Sequence, residues 1–294
     1  MPRYRFLQVD VFTDTPFAGN PLCVVLDGRG LSDALMQAIA REKNLSETTF
    51  ILPPTERAAA DARVRIFTPQ VELPFAGHPV VGTAFVLANE RLVEPREPGL
   101  LRLQLGVGVV PVDLRGPRIT MTQKLPELGA VVPSAEAARV LGLAEDDVRA
   151  TGLPAQTVST GLAHLVVPVR SLAAMRALRP DLGALPALLE RAGATGVYAF
   201  SRETETPGAA AHARMFAPAA GVLEDPATGS AAGPLGAYLV EHGAIAPGTL
   251  EIEQGLEMGR PSRIFVEIER AGAAVSAVRV GGQVVQVMEG AITV

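Results

Sequence analysis

Residues 63–92 read RVRIFTPQVELPFAGHPVVGTAFVLANERL, and residues 212–240 read HARMFAPAAGVLEDPATGSAAGPLGAYLV. Each opens on a strand-like segment that ends in proline, passes a glycine-containing loop and enters an apolar helix. The loops are G-H-P at 77–79 and G-S-A at 229–231. Working outward, the likeness extends upstream. STGLAHLVVPV (159–169) has the rhythm of FAGNPLCVVLD (17–27), and DLGALPALLERAGATGVYAFS (181–201) follows LSDALMQAIAREKNLSETTFIL (31–52) as helix then strand. Four elements recurring in one order over half the chain length describe two homologous halves, not a solenoid of short repeats. The boundary falls near GPRITMTQKLPELGA, which gives a first half over about 1–120 and a second over about 121–280.

Local signals fill in the first half. Tyr4 to Phe12 alternates like a strand and L-C-V-V-L is a short buried one. Ser32 is placed to cap a helix over DALMQAIAREKN, with Leu35, Met36, Ile39 and Ala40 on one face and Asn44 closing it. TTFIL, ARVRIF, LLRLQL, GVVPVDL and RITMTQ read as strands. The helix PVVGTAFVLANERL starts at Pro79, whose missing N–H would be unpaired in a first turn anyway, and is apolar nearly all round, so it is expected to be buried.

Composition narrows the function classes. The 294 residues are 48% hydrophobic and 19% charged, with 29 glycines and 24 prolines to supply many turns. A net charge of −5 without a Lys/Arg block lacks the electrostatic footprint of a nucleic-acid binder. No apolar run is long enough to cross a bilayer, and the opening MPRYRFLQVDVF reads as a first strand, not a signal peptide. The single cysteine, Cys23, allows no intrachain disulfide, and the cytoplasm is the expected compartment.

The two matched helix starts are the candidate site. Helix N-termini carry N–H groups without intrahelical partners and a dipole that favours negative charge, and glycine lets a ligand approach the backbone closely. Together these hold a carboxylate or phosphate. Taken alone, each motif reads as a helix cap: Ser230 is a good N-cap and Asp225-Pro226 a common turn. Their recurrence at matching places in a repeat favours a site. Under a pseudo-twofold relation the starts would face each other across a cleft, with a small anionic substrate between them.

DVFTDTPFAGNPLCVVLD, NLSETTF, RIFTPQVELPFAGHPVVGTA, EDPATGSAAGPLGAYL and QGLEMGRPSRIFVEIE together resemble the phenazine biosynthesis-like PhzF family, whose fold is that of diaminopimelate epimerase. The resemblance runs from about residue 8 to about residue 268. It implies an α+β fold in which each half is a mixed sheet or barrel wrapped around a central helix, with the last strand, within about 281–294, returning to the first half. It also implies a homodimer and a cofactor-independent isomerase acting on a small carboxylate; the family's namesake acts on a dihydro-hydroxyanthranilate. Carried over by position, the acid/base glutamate is Glu47, the histidine His78, the aspartate Asp225 and the serine Ser230. Gly77 and Gly229 fall where backbone N–H groups hold the substrate carboxylate. On residue type alone, Glu47 between a helix end and a strand reads as an exposed turn residue, and His78 as a cap or core histidine.

The residue inventory constrains the chemistry. Epimerases of this fold that use thiols need two cysteines, one for each substrate face. Cys23 is alone, inside an apolar run, and reads as a small core residue. One carboxylate that takes and returns a proton on one face suits a suprafacial hydrogen shift, and burial would bring a glutamate toward its working pH. A serine hydrolase through Ser230 is an alternative, although G-S-A-A-G is not G-x-S-x-G. A small-carboxylate binding protein without catalysis is another. A metal enzyme is disfavoured because His78, His164, His212 and His242 are scattered and form no H-x-x-x-H pair. G-V-G-V-V-P opens no helix, which disfavours a dinucleotide enzyme.

Overall fold

The computed structural model describes residues 1–294. The chain forms two compact units, one of residues 1–122 with 281–294 and one of residues 123–280. In chain order the first contains β1 (Arg3–Val11), β2 (Asn20–Val25), α1 (Asp33–Lys43), β3 (Glu47–Leu52), β4 (Ala62–Phe67), β5 (Glu72–Leu73), α2 (Gly77–Asn89), β6 (Leu100–Leu105), β7 (Gly108–Asp113) and β8 (Ile119–Thr122). There follow β9 (Glu127–Val132), α3 (Ser134–Leu141), α4 (Glu145–Arg149), β10 (Ala155–Ser159), β11 (Ala163–Pro168), α5 (Leu172–Ala177), α6 (Leu185–Ala192), β12 (Gly196–Ser201), β13 (Ala211–Ala217), β14 (Val222–Asp225), α7 (Gly229–Glu241), β15 (Gly248–Gln254), β16 (Ser262–Ala271) and β17 (Ala274–Gly282). The final strand, β18 (Val284–Thr293), belongs to the first unit, where it pairs antiparallel with β1.

The units share one strand topology. In the first, β1 pairs antiparallel with β2, β2 parallel with β3, and β3 antiparallel with β4. Strand β4 then pairs antiparallel with β5 and parallel with β6, which pairs antiparallel with β7. In the second, the same senses join β10 to β11, β11 to β12 and β12 to β13. Strand β13 pairs antiparallel with β14 and parallel with β15, which is antiparallel to β16. Even the outer strand corresponds, because β9 pairs with β10 as β18 pairs with β1. This is the mixed α+β fold that the family resemblance implies, in the two homologous halves that the repeat describes.

Each unit wraps a helix. Helix α2 packs on β1, β2, β3, β7, β8 and β18, and α7 packs on β10, β11 and β16. Both are apolar all round because sheet lies on several sides of them. Glycines bring the backbones close: a Cβ on Gly82 of α2 would lie 2.7 Å from Leu22 Cδ2 and 2.8 Å from Val11 Cγ2. On the outer face of the first unit, Met36, Ile39 and Ala40 of α1 pack with Cys23, Val25, Phe50 and Phe67. In the second, α3 to α6 bury Val140, Leu141, Leu185 and Leu188 against Leu165, Val167 and Val197.

Two details differ from the sequence reading. Helix α2 begins at Gly77, so Pro79 is its third residue; the missing N–H is still one of the four unpaired at a helix start. The N-cap of α7 is Thr228, not Ser230, which lies inside the first turn. Ser32 and Asn44 cap α1 as read: the Ser32 side chain accepts from Leu35 N, and Asn44 is left-handed with its N–H donating to Ala40 O.

Candidate active site

Glu47 owes its position to three neighbours. The left-handed turn at Asn44 ends α1, two residues follow, and β3 starts at Glu47 in parallel register with Leu22 of β2. Side chains alternate along β3. Phe50 faces the α1 layer, whereas Thr49 Oγ1 lies 2.9 Å from Thr83 Oγ1 of α2. Glu47 shares the parity of Thr49 and so faces α2. There its Oε2 lies 3.4 Å from His78 Nε2 in the first turn of that helix. Both side chains are buried, with Glu47 8% and His78 3% exposed. Burial pulls the His78 imidazole down to about 3, so it is neutral at physiological pH. The start of α2 has no acidic residue and no capping side chain, since its N-cap is Ala76. The N–H groups of Gly77 and His78 therefore have no helical acceptor.

The second unit repeats the device with different chemistry. Asp225 ends β14 and is 7% exposed. Its neighbour Glu224 is gripped by Arg214 of β13 through Nε and Nη2, at 2.8 and 2.9 Å. Thr228 does not cap α7 with its side chain. Its hydroxyl donates to Asp225 Oδ2 at 2.5 Å, while its carbonyl accepts from Ala231 and Ala232. Gly229 and Ser230 are left as the first N–H groups of a buried helix. The Gly229 carbonyl is held by Gln123 Nε2 at 2.9 Å, and Gln123 Oε1 in turn accepts from Thr160 Oγ1 at 2.6 Å.

A family model described as phenazine biosynthesis-like protein, PhzC-PhzF, matches residues 9–290. The chain belongs to this phenazine biosynthesis-like family. The trans-2,3-dihydro-3-hydroxyanthranilate isomerase of Pseudomonas aeruginosa is 41% identical to it over 295 residues, covering 98% of this chain and 98% of that protein. A Bacillus anthracis phenazine biosynthesis protein of the PhzF family matches in structure with a TM-score of 0.89 at 30% identity, each chain covered to 100%. A hydroxyproline epimerase from Agrobacterium vitis matches with a TM-score of 0.65 at 13% identity, covering 99% of this chain and 92% of the other, which is a likeness of fold alone. The enzyme class of the family's curated relatives is isomerase, and this protein is an isomerase.

Within this family member, Glu47, Gly77 and His78 come together in the first unit, and Asp225, Gly229 and Ser230 in the second. Cys23 lies wholly inside the α1 layer, where burial pushes its thiol up to about 12, so it is no nucleophile. The structure adds residues that sequence reading passed over: Thr228, Gln254, Tyr198 and Gln123, all buried and all hydrogen-bonded around the 225–229 turn. Thr228 lies inside the EDPATGS string without having been singled out, and Tyr198 and Gln123 carry no local motif. Gln254 stands at the head of QGLEMGRPS, one of the strings that carry the family resemblance.

Proposed function

We propose that this isomerase moves a proton on a small unsaturated carboxylic acid, without a cofactor, using Glu47 as the single acid/base. The Glu47 carboxylate takes a proton from an activated sp³ carbon, and the electron pair delocalises through the conjugated system toward the substrate's carboxylate. The resulting Glu47 acid returns the proton to another carbon on the same face. The N–H groups at each helix start, Gly77 in the first unit and Gly229 with Ser230 in the second, are each suited to receive a carboxylate and the charge that develops on it. Asp225 is assigned to an amino or hydroxyl group of the substrate. His78, being neutral, is assigned to orient Glu47 by its close approach of 3.4 Å, not as a counter-ion.

The observation that carries this reading is the buried Glu47–His78 pair at the uncapped start of a buried helix. The relatives named trans-2,3-dihydro-3-hydroxyanthranilate isomerase supply the first substrate to try, since it has the required amino, hydroxyl and carboxylate groups. The test is proton exchange in D2O, followed by NMR on that compound, for the wild type and Glu47→Gln. Deuterium incorporation or conversion that vanishes in the variant supports the mechanism. Equal activity in both removes Glu47 from the acid/base role. Binding with no exchange in the wild type would exclude that compound as the substrate and move the test to other small unsaturated acids.

A further inference from the structure

Gln254, the last residue of β15, is fully buried, and its side chain makes four hydrogen bonds inside the second unit. Its Oε1 accepts from Tyr198 Oη at 2.9 Å and from the backbone N–H of Thr228 at 3.1 Å. Its Nε2 donates to the Asp225 carbonyl at 2.7 Å and to Thr228 Oγ1 at 3.0 Å. The orientation of the amide is fixed by chemistry. A backbone N–H can only donate and a backbone carbonyl can only accept, so oxygen must face Thr228 N and nitrogen must face Asp225 O. The direction then propagates. Thr228 Oγ1 accepts a hydrogen bond from Gln254 Nε2 and donates its own to Asp225 Oδ2.

We propose that Gln254 is a positioning residue of the active site: its carboxamide fixes the 225–228 turn and, through the Thr228 hydroxyl, the rotamer of the Asp225 carboxylate. The proposal rests on the reading that Asp225 binds substrate. Among uncharged side chains only the carboxamides, glutamine and the shorter asparagine, offer two acceptor and two donor positions in one rigid plane, and here all four are used. Glutamate has the same shape but only acceptors when ionised. Gln254→Glu therefore keeps the packing and the Tyr198 bond while removing both donations. Ser262 Oγ, which donates to Pro226 O at 2.9 Å, steadies the same turn from another strand but does not reach the Asp225 carboxylate through Thr228.

The test compares wild type, Gln254→Glu, Thr228→Val and Thr228→Ser. At pH 9, Gln254→Glu is expected to lose about 10–100-fold in kcat/KM, the scale of a misoriented binding group. Acidification that protonates the introduced acid restores one donor. Its deficit relative to wild type shrinks accordingly, whereas a space-filling role for Gln254 gives a ratio independent of pH. Thr228→Val is expected to reproduce the loss, and Thr228→Ser to stay within about threefold, since serine keeps the hydroxyl. A Gln254→Glu enzyme as active as wild type at pH 9, or a fully active Thr228→Val, overturns the proposal. A readout without turnover separates this from the catalytic reading: the Asp225 carboxyl ¹³C resonance should move in Thr228→Val and not in Thr228→Ser. An unmoved resonance overturns the positioning role even in an active enzyme. A moved one upholds it even if the wild type fails to convert the test acid, which would count against the substrate reading instead. Should Gln254→Glu fail to fold, the threonine pair decides alone.

Discussion

A carboxylate beside an imidazole ordinarily raises its pKa, yet at His78 burial prevails and the ring is held down to about 3. Two consequences belong to single residues. The first is that His78 stays neutral across pH 5–9; ring ¹⁵N shifts that titrate near 6.5 would contradict it. The second concerns Glu47. With Glu47 as the proposed acid/base, Glu47→Gln removes the proton carrier and its charge while keeping the side-chain shape, so it should lower kcat by about 10²–10⁴-fold. Glutamine keeps the volume and a hydrogen-bonding oxygen at this buried position, so unfolding temperature should hardly change. A variant that lost activity only in proportion to lost folded protein would show a structural glutamate instead. His78→Asn retains a donor and an acceptor and should fall between wild type and Glu47→Gln in kcat.

At the scale of elements, α2 and α7 place the candidate groups, and they can be central only because small residues let strands approach. Gly82→Ala puts a methyl against Leu22, Val11 and Val9, the nearest atoms lying at 2.7 to 3.3 Å. The gain in helix propensity, about 1 kcal/mol, should be outweighed by about 1–3 kcal/mol of overpacking. Chemical denaturation should therefore show a net loss of stability; an unchanged or higher midpoint would mean that the sheet gives way easily. The same packing explains which elements were legible. The two buried helices and their paired strands carry dense apolar runs, and α1 carries its caps in Ser32 and Asn44. Strand β9 exposes five of its six residues, so it shows no alternation to read. Helix α5 buries only Ala174 and Met175, too few for a stripe, and half the buried face of α3 is alanine, which gives weak contrast. The candidate site divides in the same way. His78 and Asp225 stand in short strings rich in glycine and proline, and Glu47 in the short string NLSETTF between a helix end and a strand. Gln254 acts on Thr228 across 26 residues of sequence and on Tyr198 across 56, relations that exist only once β12, β15 and the 225–228 turn are assembled.

For the molecule as a whole, the buried histidines oppose one another, and their balance sets how stability varies with pH. His78 and His164 are held by burial down to about 3 and about 4. As pH falls from 6.5 toward those values, the unfolded chain binds protons that the folded chain refuses, and stability drops. His212 behaves oppositely. Burial pulls it down, but hydrogen bonds to Glu253 at 2.8 Å and Glu257 at 2.9 Å outweigh that and raise it to about 9. Its contribution is complete below 6.5 and is lost as pH rises through about 9. Glu253 is pushed up by burial, yet His212 and the donors at Thr206 and Glu205 bring it to about 2, so its share disappears only between about 4.5 and 2. These signs place the stability maximum near pH 6.5, with an alkaline fall on the order of 2 kcal/mol by pH 9. Urea unfolding at pH 5, 6.5 and 9 measures both arms. His212→Gln should be less stable at 6.5 but nearly level from 6.5 to 9, whereas a variant that keeps the alkaline fall would place its origin elsewhere. His164 makes the complementary case. It is 1% exposed and neither ring nitrogen has a hydrogen-bond partner in the protein, so it combines the cost of an unpaired buried polar group with the acid-side penalty. His164→Leu should lessen the fall between pH 6.5 and 4 without lowering stability at 6.5. A clear loss at 6.5 would show that the ring nitrogens are engaged in the working protein.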